Sequence, residues 1–220
     1  KIDTGMTRLG AHWETAKSII DTWKSSSKYV IKEGIYSHFA NSDSDHALNL
    51  EQLNRFKSTT SQLDQTLRHI ANSDGVSNVE HSHFDLVRIG LNVYQNSFTL
   101  HAPIKLIKFA KKGTEIGYGG TYVTQEDCKI AIIGIGYADG ISTQYSNNGT
   151  VSINNGTYPI VGKICMDMFM VKLPATSTIT CNDNAMIICP DDESGTTLTE
   201  MAKKTNQNPR EIMTRFSQRI

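Results

Sequence analysis

The sequence has no surplus of charge of either sign, because 22 Lys and Arg residues balance 22 Asp and Glu residues. A nucleic-acid binder usually has a basic surplus, since each phosphate that it neutralises releases counterions. Long apolar runs are also absent: the longest, residues 130–135, has the length of a strand and contains Gly134. A membrane helix needs roughly 18 apolar residues. These absences predict a protein whose partners are neither nucleic acid nor a membrane.

Cysteine is scarce and follows no pattern. The four cysteines, Cys128, Cys165, Cys181 and Cys189, form no CxxC pair and have no spacing typical of zinc ligands. Two disulfides are possible, but they would be a sparse framework for 220 residues. We therefore expect reduced thiols in a cytoplasmic protein, and no metal site.

The first part of the chain alternates between helical and strand-like patterns. Apolar residues at spacings of three and four predict two helices, carried by Trp13, Ala16, Ile20 and Trp23 and by Leu50, Leu53 and Phe56. Asp43 or Asp45 is the expected N-cap of the second helix. Strand-like runs occupy residues 1–3, 34–39, 69–71 and 84–88. This alternation predicts a parallel sheet, and four strands in about ninety residues are half of a (β/α)8 barrel.

After residue 100 the strand-like runs follow one another without helices between them. They occupy residues 104–109, 129–136, 151–153, 157–161, 169–173 and 185–189. Asn155-Gly156 is a strong hairpin signal. Two helices are predicted at the end, one from the capping box of Thr197 and Glu200, the other from Asn208 and Pro209. The predicted fold class is α/β plus all-β, with a half-barrel at residues 1–98 and an antiparallel β domain at residues 99–220.

Seven short strings then point to a family. They are KIDTGMTRLG (1–10), SHFA (37–40), ANS (71–73), DLVRIGL (85–91), GYGGTY (117–122), GYADG (136–140) and VGKICMD (161–167). In this order they resemble the alanine racemases, fold-type III enzymes that use pyridoxal 5′-phosphate. The resemblance implies an eight-stranded barrel followed by a β domain, in a homodimer with shared active sites. It also implies that L-alanine and D-alanine are interconverted by two bases, which supplies D-alanine for peptidoglycan.

The resemblance assigns roles to three residues at the centre of this chemistry. Tyr137 would be one of the two bases, contributed by the partner subunit; a phenol has an ordinary pKa near 10, so it needs help to act at neutral pH. His38 would lie in a hydrogen-bond relay from Tyr137 towards Arg88. Arg88 would donate to the pyridine nitrogen of the cofactor and keep it unprotonated, since an arginine cannot accept a proton.

Further matches concern the phosphate and the substrate. Asn72, Ser73, Gly90 and Leu91 match the family's phosphate-binding turns after the last two barrel strands, although Asn-Ser-Asp-Gly is also ordinary turn chemistry. Arg8 and Met166 match residues near the substrate carboxylate, and Lys1 matches a lysine that is often carbamylated. Met166, Met168 and Met170 also fit one face of a strand.

Two departures from the family qualify these expectations. No string in the sequence resembles the family's cofactor lysine, and the sequence opens at Lys1 inside a strand-like run with no signal peptide. Together these features predict a fragment whose upstream part is missing. Arg210 stands where the family usually has a tyrosine near the phosphate. The alternatives are therefore a serine or broad-specificity racemase, or a catalytically incompetent fragment.

Overall fold

The computed structural model describes the chain apart from residues 27–30, 45, 64–65, 95, 191–194, 217 and 220. The chain divides into two compact units, Lys1–Asn92 and Val93–Ile220. Within the described residues, no helix is long and apolar enough to cross a membrane.

The first unit contains two parallel strand pairs flanked by helices. Strand β1 (Ile2–Asp3) pairs with β2 (Ala11–His12), and β3 (Gly34–Tyr36) pairs with β4 (Leu67–His69). The helices are α1 (Ala16–Ser25), α2 (His46–Thr60), α3 (Ser73–Asn78) and α4 (Leu91–Tyr94), the last of which crosses the boundary between the units. The parallel pairing agrees with the predicted strand–helix alternation. The two pairs are separate sheets in the described residues, which therefore show parallel pairing but do not show one continuous half-barrel.

The helix predictions are largely confirmed. Ala16 and Ile20 are buried on α1, and Leu53 and Phe56 are buried on α2. Leu50, however, is exposed, because the polar side chains of Asn49 and Gln52 share the buried face instead. Asp43 lies too far from His46 to cap α2, and Asp45 lies outside the described residues.

The strand predicted at residues 84–88 is wrong. Phe84 has a left-handed φ of 49°, and the Asp85 carboxylate accepts the backbone N–H of Arg68 at 2.7 Å. The segment still follows β4, because Asp85 N–H donates to Arg68 O and Arg88 N–H donates to Ala71 O. It is therefore an extended loop that runs beside the strand.

The second unit is a closed six-stranded antiparallel barrel. The strands are β5 (Leu100–Ala110), β8 (Cys128–Ile133), β9 (Thr150–Ile153), β10 (Gly156–Val161), β11 (Phe169–Pro174) and β12 (Asn184–Ile188). Their order around the barrel is β10-β11-β8-β5-β12-β9, and β6 (Glu115–Ile116) pairs with β7 (Tyr122–Val123) outside it. All six predicted strands are present. Closure leaves the barrel without a free edge.

Local signals in this unit are mostly confirmed. Thr197 and Glu200 form the capping box of α5 (Leu198–Thr205), and Asn208 caps α6 (Pro209–Arg215). The hairpin turn is displaced by one residue: Ile153 pairs with Gly156, so the turn residues are Asn154 and Asn155, both with left-handed φ. A two-residue turn with this twist needs positive φ at both positions, which asparagine tolerates.

Candidate active site

Arg88 is the hub of a polar cluster in the first unit. Its Nη2 donates to Ser37 O at 2.8 Å and to Ile70 O at 3.2 Å, and lies 3.0 Å from His38 Nδ1. Its Nη1 donates to His69 Nδ1. The guanidinium therefore ties together the segments that follow β3 and β4. Because arginine has donors only, a hydrogen bond from it to either histidine requires Nδ1 as the acceptor, with the ring proton of that histidine on Nε2.

His69 and Tyr36 complete the surroundings of this guanidinium. Burial, together with the charge of Arg88, lowers the pKa of His69 below its usual value. The Tyr36 ring stacks on His69 with centroids 5.1 Å apart, and it also lies 5.4 Å from the Arg88 guanidinium carbon. Burial likewise lowers the pKa of Arg88, which still leaves the group charged at neutral pH. The result is a fixed cation held among neutral acceptors.

The segment that carries His38 is held from the side of α2. Gln52 Nε2 donates to His38 O at 3.1 Å and to Thr4 Oγ1 at 3.2 Å, and Gln52 Oε1 accepts Ala40 N–H at 2.9 Å. Gln52 is fully buried, so these bonds have little competition from water. The amide fixes the backbone on both sides of Phe39, and thereby the position of His38.

Asn72, Ser73 and Gly90 form a second polar group. Asn72 caps α3 by accepting Gly75 N–H at 2.9 Å, and it also accepts the Ser42 hydroxyl at 2.7 Å. Gly90 N–H donates to Ser73 Oγ at 2.8 Å. A Cβ atom built on Gly90 would approach Ser73 Oγ at 3.7 Å and no other described atom within 4 Å. The space above Gly90 is therefore open and lined by a hydroxyl.

The loop after β1 carries Arg8. Asp3 Oδ1 accepts the N–H groups of Gly5, Met6 and Thr7 at 3.0–3.1 Å. Burial works to raise the pKa of Asp3, but these three donors and the charge of Lys1 outweigh it, and the pKa is lowered. Arg8 itself is exposed on this ordered loop. Lys1 is half-buried, and its carbonyl accepts Ala11 N–H at 3.0 Å.

Tyr137 and Met166 lie on two neighbouring loops of the second unit. Tyr137 N–H donates to Cys165 O and Ala138 N–H donates to Met166 O, each at 3.0 Å. A Cβ atom on Gly136 would lie 2.3 Å from both of these carbonyl oxygens, so the loops approach too closely for any other residue. Both side chains are exposed, at 46% for Tyr137 and 53% for Met166.

The methionine pattern splits at the strand. Met170 is buried in β11, whereas Met166 and Met168 precede the strand and are exposed. The alternative that all three share one buried strand face is therefore wrong for Met166. Arg210, in the first turn of α6, is exposed.

The sequence motifs predicted most of these residues as site residues, but they indicated no role for His69 or Tyr36. The signal that favoured His38, a histidine at the carboxyl end of a strand, also applies to His69 at the end of β4. The structure brings together Arg88 with His38, Ser73 with Gly90, and Tyr137 with Met166. Within the described residues, no group of three or more His, Cys, Asp or Glu side chains is arranged to hold a metal ion.

Comparison with known proteins gives the family. The family model for the alanine racemase N-terminal domain matches residues 1–97, and that for the alanine racemase C-terminal domain matches residues 97–220. The alanine racemase of Carboxydothermus hydrogenoformans is 33% identical over 241 residues, which cover 100% of this chain and 65% of that protein.

Solved structures agree with this match. An alanine racemase from D-cycloserine-producing Streptomyces lavendulae has a TM-score of 0.88 at 30% identity, over 99% of this chain and 63% of that one. The alanine racemase of Bartonella henselae, solved with covalently bound pyridoxal phosphate, has a TM-score of 0.84 at 31% identity over the same shares. The chain thus spans a little under two thirds of the length of these relatives. Since the two family models together match the whole sequence, the chain belongs to the alanine racemase family.

Proposed function

We propose that the protein containing this chain interconverts L-alanine and D-alanine with pyridoxal 5′-phosphate, and so supplies D-alanine for peptidoglycan. The observation that carries the proposal is the Arg88 cluster, formed by Arg88, His38, His69 and Tyr36. In it, a permanent cation lies between two histidines that can only accept hydrogen bonds from it. We further propose that residues 1–98 are half of a cofactor-binding (β/α)8 barrel. Residues 99–220 would present Tyr137 to the active site of the partner subunit in a homodimer.

The residues present fit the cofactor. Arg88 would donate to its pyridine nitrogen, and because a guanidinium does not give up its proton, that nitrogen would stay unprotonated. The open space above Gly90, lined by the Ser73 hydroxyl, suits a phosphate oxygen. Asn72 caps the helix that begins at Ser73, and Leu91, directly after Gly90, is the first residue of α4. Bound pyridoxal phosphate supplies the electron sink for the carbanion that forms when the α-proton leaves.

The protein's own residues then move the proton. The phenolic oxygen of Tyr137 would take the α-proton on one face of the substrate, and the family's cofactor lysine would serve the other face. His38, with its proton on Nε2, would donate to that phenolic oxygen and favour its anionic form. Arg8 and the backbone at Met166 would bind the substrate carboxylate. A carbamylated Lys1 would add negative charge near Arg8 and steady it.

The decisive experiment replaces Tyr137 by Phe in the full-length holoenzyme. The equilibrium constant for racemisation is one, so kcat/KM must fall equally for the two enantiomers, and we expect a loss of about 10²–10⁴-fold. The separate bases are resolved by the exchange of the α-hydrogen with solvent deuterium. One enantiomer should stop exchanging, whereas the other should still exchange with retention through the lysine.

Tyr118→Phe is the matched control, since Tyr118 is another exposed tyrosine of the second unit. It should leave both exchange rates unchanged. Equal loss of exchange for both enantiomers in Tyr137→Phe would refute the two-base assignment. Arg210 leaves open the alternative of a serine or broad-specificity racemase. The ratio of kcat/KM for alanine to kcat/KM for serine, measured on the wild-type holoenzyme, decides between that alternative and an alanine racemase. No racemisation of any small amino acid would favour a catalytically incompetent protein.

A further inference from the structure

The C-terminal segment reaches the two loops that carry Tyr137 and Met166. Arg219 Nη2 donates to Asp167 Oδ1 at 2.7 Å, and Arg219 Nε lies 3.4 Å from Asp139 Oδ1. Asp167 directly follows Met166, and Asp139 is two residues after Tyr137. One guanidinium therefore bridges carboxylates from both loops.

The side of the bridge at Asp139 is built into the tyrosine loop. The Asp139 side chain is only 9% exposed, and its Oδ2 accepts Gly136 N–H at 2.9 Å. One oxygen thus closes the turn around Tyr137 while the other faces Arg219. The C-terminal segment is also pressed against this turn, because a Cβ on Gly140 would meet Arg215 O at 2.6 Å. Arg219 is therefore one ion pair away from the carboxylate that closes the turn around Tyr137.

The side of the bridge at Asp167 is exposed to solvent. Its side chain is 50% exposed and that of Arg219 is 54% exposed, so water competes for this ion pair and its contribution to stability is small. A planar guanidinium nevertheless fixes direction as well as charge, because its N–H groups point along fixed vectors. The arrangement suits positioning better than stabilisation.

We propose that Arg219 is a positioning residue that holds the Tyr137 loop and the Met166 loop at a fixed separation. This inference rests on the proposed function, in which Tyr137 exchanges a proton with the substrate. A displacement of about 1 Å at a reacting group can cost roughly 10²-fold in rate. Loss of the bridge would therefore reduce proton transfer at the Tyr137 face while leaving the fold intact.

The test is Arg219→Gln in the full-length holoenzyme. We expect kcat/KM to fall by about tenfold or more, while the melting temperature falls by no more than about 4 °C. Solvent deuterium exchange should slow at the Tyr137 face only. In the Tyr137→Phe background, Arg219→Gln should cause no further loss, because the group that it positions is already gone. The amide hydrogens of Tyr137 and Ala138, which bond to the Met166 loop, should exchange faster.

Lys172→Gln is the control, because Lys172 forms another ion pair of this unit, with Glu126 at 2.6 Å. It should leave activity unchanged. Asp167→Asn should reproduce the Arg219→Gln loss, and the double variant should lose no more than either single one. If Arg219→Gln does not fold, Arg219→Lys carries the test, since one ammonium cannot span both carboxylates in the same geometry.

The outcomes separate this inference from the proposed function. Suppose that the wild type is active and that Tyr137→Phe loses exchange for one enantiomer only. Unchanged exchange in Arg219→Gln or Arg219→Lys would then overturn the role of Arg219 but not the proposed function. Equal slowing at both faces also overturns it, since a general loss of structure would give that result. A wild-type holoenzyme without racemase activity would instead overturn the proposed function.

Discussion

Replacing Arg88 by Met tests whether the guanidinium organises the first unit as its contacts indicate. Methionine keeps an unbranched stem but removes the donors to Ser37 O and Ile70 O, both of which belong to buried residues. A hydrogen bond from a charged donor contributes about 1.5–3 kcal/mol. Arg88 is partly exposed, so water replaces some of this, and removal of a partly buried cation recovers its desolvation cost. We expect a net loss of about 2–4 kcal/mol in the free energy of unfolding.

The chain offers a direct assay for this loss. Both of its tryptophans, Trp13 and Trp23, lie in the first unit and pack against its core. Their fluorescence during urea titration therefore reports the unfolding of that unit. With a slope of about 1.5 kcal/mol per M urea, the midpoint should fall by roughly 1–3 M.

An exposed lysine of α2 provides the control for Arg88→Met. Lys57→Met removes an exposed cation from α2 and should change the free energy of unfolding by less than about 0.5 kcal/mol. A midpoint for Arg88→Met that equals that of the control would refute the reasoning. The strand ends would then be held by the core alone, and the Arg88 cluster would have no structural role.

Two further predictions concern the surroundings of the site. His69 has a lowered pKa in the folded state, so the unfolded state binds more protons below pH 6.5 and stability is lost as the pH falls. His69→Asn keeps an acceptor near the Nδ1 position but cannot titrate. Urea titrations at pH 5 and 8 should therefore give a smaller difference in the free energy of unfolding than in the wild type. An unchanged difference would contradict the role given to His69. Gly136→Ala should lower the free energy of unfolding by about 2 kcal/mol or more, because its Cβ would collide with two carbonyl oxygens. The melting temperature and the exchange rate of the Tyr137 amide hydrogen measure this effect. Wild-type values for both would contradict the prediction, since the two loops would then separate at little cost.

The sequence predicted the elements better than their arrangement. The buried face of α1 and the six barrel strands depend on local periodicity, which the sequence shows directly. Barrel closure depends on β12 lying between β5 and β9, a long-range pairing that no local pattern contains. The segment at residues 84–88 has a strand-like composition, but the left-handed Phe84 and the Asp85 side chain take it out of the ladder.

The site shows the same limit. Arg88 and His38 are 50 positions apart, so only the resemblance to a family brought them together before the structure did. His69 was missed because its role lies in a contact with a side chain 19 positions away, which its own sequence neighbours do not indicate. The bridge formed by Arg219 links residues 52 positions apart and could not be anticipated from spacing either.

The donor-only chemistry of arginine also determines which nitrogen of His38 would carry the proton in the proposed relay. Because arginine only donates, a hydrogen bond from Arg88 to His38 requires a lone pair on Nδ1 and the ring proton on Nε2. A carboxylate at position 88 would accept instead, and Nδ1 would then carry the proton. The Nε2 atom of a neutral His38 would then be an acceptor, and only after it had itself gained a proton could it donate to a Tyr137 phenolate. With Arg88, the imidazole in the proposed relay would offer a donor to that oxygen and would so favour its anionic form.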